Sequence, residues 1–158
     1  LKRLLLIGRT MCGKTTLTQR ILKEDIVYHK TQTMNLAGKF IYDTPGEYLE
    51  RKAFRAALTV ASADADIMVF MQDATEDGTY FPPMYSALFG KPVIGLVTKC
   101  DIATEKQIDM AKMSLRLAGV RKIFIISSIT GEGIGDFVKE IGLDVSEIKG
   151  EKNDDKKS

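Results

Sequence analysis

Apolar residues in this chain form short solid runs, separated by stretches where they recur every three or four positions. Leu4–Ile7, Ile67–Met71 and Pro92–Val97 are apolar almost throughout, and Lys122–Ile126 repeats the pattern after one lysine. Such runs suit parallel strands covered on both faces. Between them the spacing turns helical. Leu17, Ile21 and Leu22 share one face of a helix that follows Thr15 and runs to about Leu22. Ala53, Phe54, Ala57, Leu58 and Ala61 predict a helix from about Leu49 to Ser62. Ile108, Ala111, Leu115 and Ala118 predict another over Thr104–Ala118, and Ile134–Ile141 reads as the last. A shorter helix is expected near Met84–Leu88. Met34–Leu36 and Lys39–Tyr42, joined by Ala37-Gly38, read as a short hairpin, and polar Lys23–Thr33 reads as a mobile loop. Strands alternating with helices predict an α/β fold, a three-layer α/β/α sandwich around a mostly parallel sheet. Met68, Met71 and Met113 read as core filler.

Composition adds limits. A chain of 158 residues suggests one domain. It is expected over residues 1–142, because residues 143–158 turn polar and end in Glu-Lys-Asn-Asp-Asp-Lys-Lys-Ser, a tail with nothing to bury. Net charge is +2, with both signs mixed along the chain, so no nucleic-acid partner is expected. No apolar run approaches the ~18 residues of a membrane span. Leu4–Ile7 is too short for a secretory leader, although the sequence opens on Leu1 rather than Met. Cys12 and Cys100 do not make a disulfide framework, which suits a cytoplasmic protein.

The chemistry begins at Gly8-Arg9-Thr10-Met11-Cys12-Gly13-Lys14-Thr15, which matches G-x-x-x-x-G-K-[ST] between a strand and a helix. With glycine near 7 % of residues, a chance match arises about once in 30,000 positions. Backbone N–H groups of the loop and of the first helical turn, through Thr16, can converge on phosphate, and the helix dipole favours negative charge there. Lys14 can reach the β- and γ-phosphates, and the Thr15 hydroxyl can bind Mg²⁺. Three further clusters fall at strand ends, where open parallel sheets bind ligands. They are Asp43-Thr44-Pro45-Gly46, Thr98-Lys99-Cys100-Asp101 and Ser127-Ser128-Ile129. Asp43 can hold Mg²⁺ through water, and the Gly46 N–H can meet a γ-phosphate oxygen. The Asp101 carboxylate can accept from the adjacent N1–H and N2–H₂ of guanine, whereas adenine presents an acceptor at N1. That favours GTP or GDP and leaves ATP open. The Lys99 stem can lie along the base.

The order of these clusters resembles the motifs of small GTPases, which implies a small G-domain-like P-loop NTPase. Thr98 stands where Asn is usual, so the loops there are expected to be tied less well. Ser127, Ser128 and Ile129 resemble the loop whose backbone touches the guanine oxygen. A threonine, Thr31 in preference to Thr33, is expected to close on Mg²⁺ and γ-phosphate. Glu47 follows Gly46, where many GTPases place a Gln that orients the attacking water, and it reads equally as a surface residue. Arg9, Arg51 and Arg55 are candidate arginine fingers and more ordinary as surface charges. A narrower resemblance is carried by Gly8–Arg20, Lys30-Thr31-Gln32, Tyr42–Tyr48, Phe70–Thr75 and Lys91–Asp101. These are similar to the ethanolamine-utilisation EutP and propanediol-utilisation PduV family, over about residues 2–142. The resemblance implies a bacterial cytosolic protein tied to a metabolic microcompartment, with a shell or enzyme partner. It also implies acetate as a possible phosphate acceptor, since family members are described as acetate kinases. Three readings stay open: a GTPase-like hydrolase, an acetate kinase using ATP, and a non-catalytic docking module that carries nucleotide.

Overall fold

The computed structural model of the chain describes residues 2–21 and 41–141. The loop over 23–33, the hairpin up to residue 40, Leu22 and the tail lie outside the described residues, and so do Thr31 and Thr33. Five strands form one parallel sheet: β1 (Leu4–Gly8), β2 (Ile41–Asp43), β3 (Ile67–Asp73), β4 (Val93–Thr98) and β5 (Lys122–Ile125), in the order β2-β1-β3-β4-β5. The helices are α1 over residues 14–21, α2 (Glu47–Glu50), α3 (Arg55–Ser62), α4 (Glu105–Leu117) and α5 (Ile134–Glu140).

The solid apolar runs are explained by cover on both faces. Alternate residues of a strand point to opposite sides. Leu4 and Leu6 join Leu17, Ile21, Val69, Met71, Leu96 and Phe137 in one core, beneath α1 and α5. Leu5 and Ile7 join Leu58, Met68, Phe70, Val97, Ala111 and Leu115 in the other, beneath α3 and α4. Phe70 is fully buried and stacks on Phe81 at 4.7 Å between ring centres.

Three expectations need correction. The helix foreseen over Leu49–Ser62 is broken into α2, a 3-10 turn at Lys52–Phe54 and α3, with Arg51 extended at φ −105°, ψ 118°. The pieces have different duties. Glu50 of α2 is bonded to the phosphate loop, while Leu58 of α3 is buried on the sheet. Ala53 and Phe54 consequently face solvent, and Arg55 Nε satisfies the freed Leu49 carbonyl at 3.1 Å. Met113 is 56 % exposed, not core. It lies two residues from both Ala111 and Leu115, which puts it on the far side of α4. Near residues 84–88 the expected helix is a 3-10 turn at Tyr85–Leu88.

Chain order sets where a ligand can sit. From β1 the chain proceeds to β2 on one side, then places β3 on the other side of β1. The C-terminal end of β1 is therefore the point where the strand order reverses, and a crevice opens there. Gly8–Thr15 occupies that end.

Candidate nucleotide site

The phosphate loop is shaped by backbone. Met11 and Gly13 have positive φ, 69° and 108°, which turns the chain tightly into α1. Cys12 N–H donates to Arg9 O at 3.1 Å and Leu17 N–H to Gly13 O at 2.8 Å. Lys14 is buried, and its ammonium donates to the carbonyls of Gly8 at 2.8 Å and Arg9 at 3.0 Å. It is thus held inside the loop rather than extended from it. Cys12 is buried against this ammonium, and burial raises its thiol pKa while the Lys14 charge lowers it. The two cysteines are free thiols.

A cleft of about 490 Å³ opens on the loop, lined by Thr10, Met11, Gly13, Lys14, Thr15 and Thr16 on one side and Thr44, Pro45, Gly46 and Lys99 on the other. The Thr44 hydroxyl donates to Leu6 O at 2.8 Å, which fixes the Asp43–Gly46 turn to β1. Gly46 lies against Thr10 so closely that a Cβ there would collide with the Thr10 backbone nitrogen and hydroxyl. Its φ of −56° is ordinary, so the requirement for glycine here is one of space. Register places Asp43 opposite Leu6, beside the loop. Glu47 is exposed at the start of α2 and does not line the cleft.

A second cavity of about 160 Å³ adjoins the first, sharing Gly13, Thr16 and Lys99, and is completed by Thr98, Asp101, Ile102, Ser127, Ser128 and Ile129. Asp101 and Ile129 are exposed at its edge, while Ser127 is buried. Ser127 Oγ accepts from Thr130 N–H at 3.1 Å, and Arg20 of α1 donates to Ile129 O at 3.4 Å. Thr98 ties one loop, the phosphate loop. Its hydroxyl donates to Cys12 O at 2.7 Å. Lys99 has a left-handed backbone, φ 63°, and its ammonium donates to Met11 O at 2.8 Å and to Asp73 at 2.7 Å.

Of the candidate arginines, Arg9 pairs with Glu76 at 2.9 Å, lies 3.6 Å from Glu50 and sits 5.1 Å over the Tyr80 ring. The hydrogen bond and charge of Glu76 hold its pKa above the ordinary arginine value. Arg51 lies over the Phe54 ring, and Arg55 is bonded to backbone carbonyls. None of Arg9, Arg51 and Arg55 lines the cleft. Sequence reasoning missed Asp73, Glu50 and Glu76. Asp73 alone carried a signal: a carboxylate inside a strand buried at every position.

A parallel sheet with a glycine loop at its switch point, opening on a cleft that adjoins a smaller cavity, is the P-loop NTPase fold of the G-domain type. Solved structures share the fold. The G-domain of FeoB from Methanococcus jannaschii superposes with TM-score 0.58 at 23 % identity, covering 92 % of this chain and 97 % of that one. A bacterial selenocysteine-specific elongation factor superposes with TM-score 0.62 at 21 % identity, covering 89 % of this chain and 28 % of that one. This chain therefore spans under a third of that factor's length. Within the class, the chain belongs to the PduV-EutP family, "Ethanolamine utilisation - propanediol utilisation", whose model matches residues 1–142. Propanediol utilization protein PduV of Citrobacter freundii is 38 % identical over 136 residues, covering 86 % of this chain and 90 % of that protein. The probable acetate kinase EutP of Escherichia coli K12 is 25 % identical over 154 residues, covering 96 % and 97 %. Among the described residues no helix is long and apolar enough to cross a membrane.

Proposed function

We propose that the protein binds and hydrolyses guanine nucleoside triphosphate with Mg²⁺, within a bacterial ethanolamine or propanediol utilisation system. One observation carries the reading: the phosphate-loop cleft and the Asp101 cavity adjoin, with Gly13, Thr16 and Lys99 lining both. Phosphates would lie against the N–H groups of residues 13–16 at the α1 N-terminus, and the base would enter beside Asp101. There the carboxylate would accept from two adjacent guanine N–H groups. Adenine would set its N1 lone pair against the same charge. Charge-assisted bonds of about 1.5–3 kcal/mol each imply a large preference for guanine. The metal would be held by the hydroxyl of Thr15, a residue that lines the cleft, and by Asp43, which pairs with Leu6 in β-register. When bound, Mg²⁺ neutralises charge on the β- and γ-phosphates. Thr31 is our candidate to close the metal site. Lys14 would exchange its two carbonyl partners for phosphate oxygens.

A second reading is favoured by the exposure of Glu47. Acetate is already a nucleophile and needs no general base, only positioning and charge neutralisation. A carboxylate oxygen would attack the γ-phosphorus as the bond to the β–γ bridging oxygen breaks, giving acetyl phosphate. The name of the EutP relative agrees with this chemistry. The Asp101 cavity agrees better with guanine hydrolysis. A third role, docking to a microcompartment shell or enzyme, requires nucleotide binding without turnover.

Turnover of GTP and ATP, with and without acetate, separates the three. The hydrolase reading expects inorganic phosphate from GTP and no gain from added acetate. Acetyl phosphate as product overturns it, and absence of any turnover leaves only the docking role. Asp101→Asn is expected to erase a GDP-over-ADP preference. Equal affinities in the unaltered protein would sink the guanine assignment.

A further inference from the structure

The threonine at position 98 leaves one connection to be made. A hydroxyl has one proton, and Thr98 donates it to Cys12 O at 2.7 Å, joining β4 to the phosphate loop. The Gln72 carbonyl lies 3.5 Å from the same oxygen, at the limit of a hydrogen bond. The Thr98 hydroxyl therefore adds no firm side-chain bond to β3, and the strand ladder ends here, with Ala74 N–H donating to Thr98 O at 3.1 Å. Beyond the ladder, a side-chain connection to β3 is made one residue later. Lys99 Nζ lies 2.7 Å from Asp73 Oδ2 at the C-terminal end of β3, and it donates to Met11 O on the phosphate loop. Asp73 is 4 % exposed, and its other oxygen accepts from Thr75 N–H at 2.8 Å and from the Thr75 hydroxyl at 2.6 Å. Both carboxylate oxygens are thus engaged and the group is held still. Lys99 has the left-handed backbone, which a lysine does not adopt without something to hold it. Asp101, two residues on, takes its place from that turn.

We propose that Asp73 is a positioning residue for base selection: its carboxylate holds Lys99, and so orients the Thr98–Asp101 turn that presents Asp101 to the base. This rests on the guanine reading above and adds the residue that makes it possible at a site lacking the usual asparagine. Asp73 lines neither the phosphate cleft nor the base cavity, so it acts through Lys99.

Calorimetric titration of the full chain with GDP, ADP and inorganic tripolyphosphate tests the idea, because only the first two carry a base. Asp73→Asn keeps the shape and removes the charge. It should cut the GDP-to-ADP affinity ratio about tenfold and leave tripolyphosphate within about twofold. A merely structural role would weaken all three ligands together, and that result overturns the proposal. So does an unchanged ratio. Adding Thr98→Asn to Asp73→Asn should restore part of the ratio, because an amide can bind both loops. Failure of that rescue also counts against the proposal. If the unaltered protein does not distinguish GDP from ADP, the guanine reading fails first and this one falls with it. If it does and Asp73→Asn still does, only the role of Asp73 is lost.

Discussion

Burial first, and then the carboxylate of Glu132, restrains the reactivity of Cys100. The thiol donates to Glu132 Oε2 at 2.8 Å. Burial and then this acceptor push its pKa up to about 12. The direction matters because only the thiolate is nucleophilic. At pH 8 a pKa of about 12 leaves on the order of one thiolate in ten thousand. Glu132→Gln removes the negative charge, lowers the pKa and raises the thiolate fraction. Some nucleophilicity is lost as pKa falls, so iodoacetamide labelling of Cys100 at pH 8 should accelerate roughly three- to tenfold. Mass spectrometry of timed samples measures it, and an unchanged rate would show that burial alone sets the pKa. At this scale sequence spacing was informative for the turn that carries Gly13, Lys14 and Thr15, whose shape follows from local geometry. It was silent on Glu132, Glu50 and Asp73. Their partners are distant in the chain, and an acidic residue carries no sign of which cation or thiol it will meet.

Among the elements, α4 is the most fully specified by local chemistry. Thr104 Oγ1 accepts from Gln107 N–H at 3.1 Å, and Gln107 Oε1 accepts from Thr104 N–H at 2.8 Å, a reciprocal cap. The other end closes on Gly119 at φ 93°, with Gly119 N–H bonded to Arg116 O and Val120 N–H to Leu115 O. Thr104→Ala should cost about 1 kcal/mol and lower the melting temperature by about 2–4 °C, read by thermal denaturation. The helix was legible because its caps and its apolar face lie within one stretch of sequence. The Leu49–Ser62 segment was not. Its apolar spacing supports one straight helix, and the break at Arg51 follows from a bond between Glu50 and Thr10, far apart in the chain.

In the whole molecule, the two cavities are assembled from the ends of β1, β4 and β5 and from the turn after β2. On the proposed function, a nucleotide there would cross-link segments that unfolding separates. A ligand at 100 times its Kd stabilises the folded state by about 2.7 kcal/mol, which for a domain of this size is a rise of roughly 5–10 °C in melting temperature. GDP with Mg²⁺ should produce that rise, and Lys14→Ala should abolish most of it. A rise that survives in Lys14→Ala would place the ligand elsewhere. The arginine of the phosphate loop belongs to this scale too. Arg9 reaches Glu76 and Tyr80 after β3 and Glu50 on α2, joining the loop to two other segments.

The chain's own pattern established the layers, all five strands, the phosphate loop and the residue types at each strand end. Those features depend on periodicity and on contacts between near neighbours, which a linear chain displays directly. Tertiary structure alone decided the strand order, and with it the crevice at the end of β1. It also decided that Thr98 ties the phosphate loop, that Lys99 is anchored by Asp73, and that Glu47 stays outside the cleft. Each of these is a meeting of groups from separate elements, settled by sheet register and burial rather than by spacing along the chain.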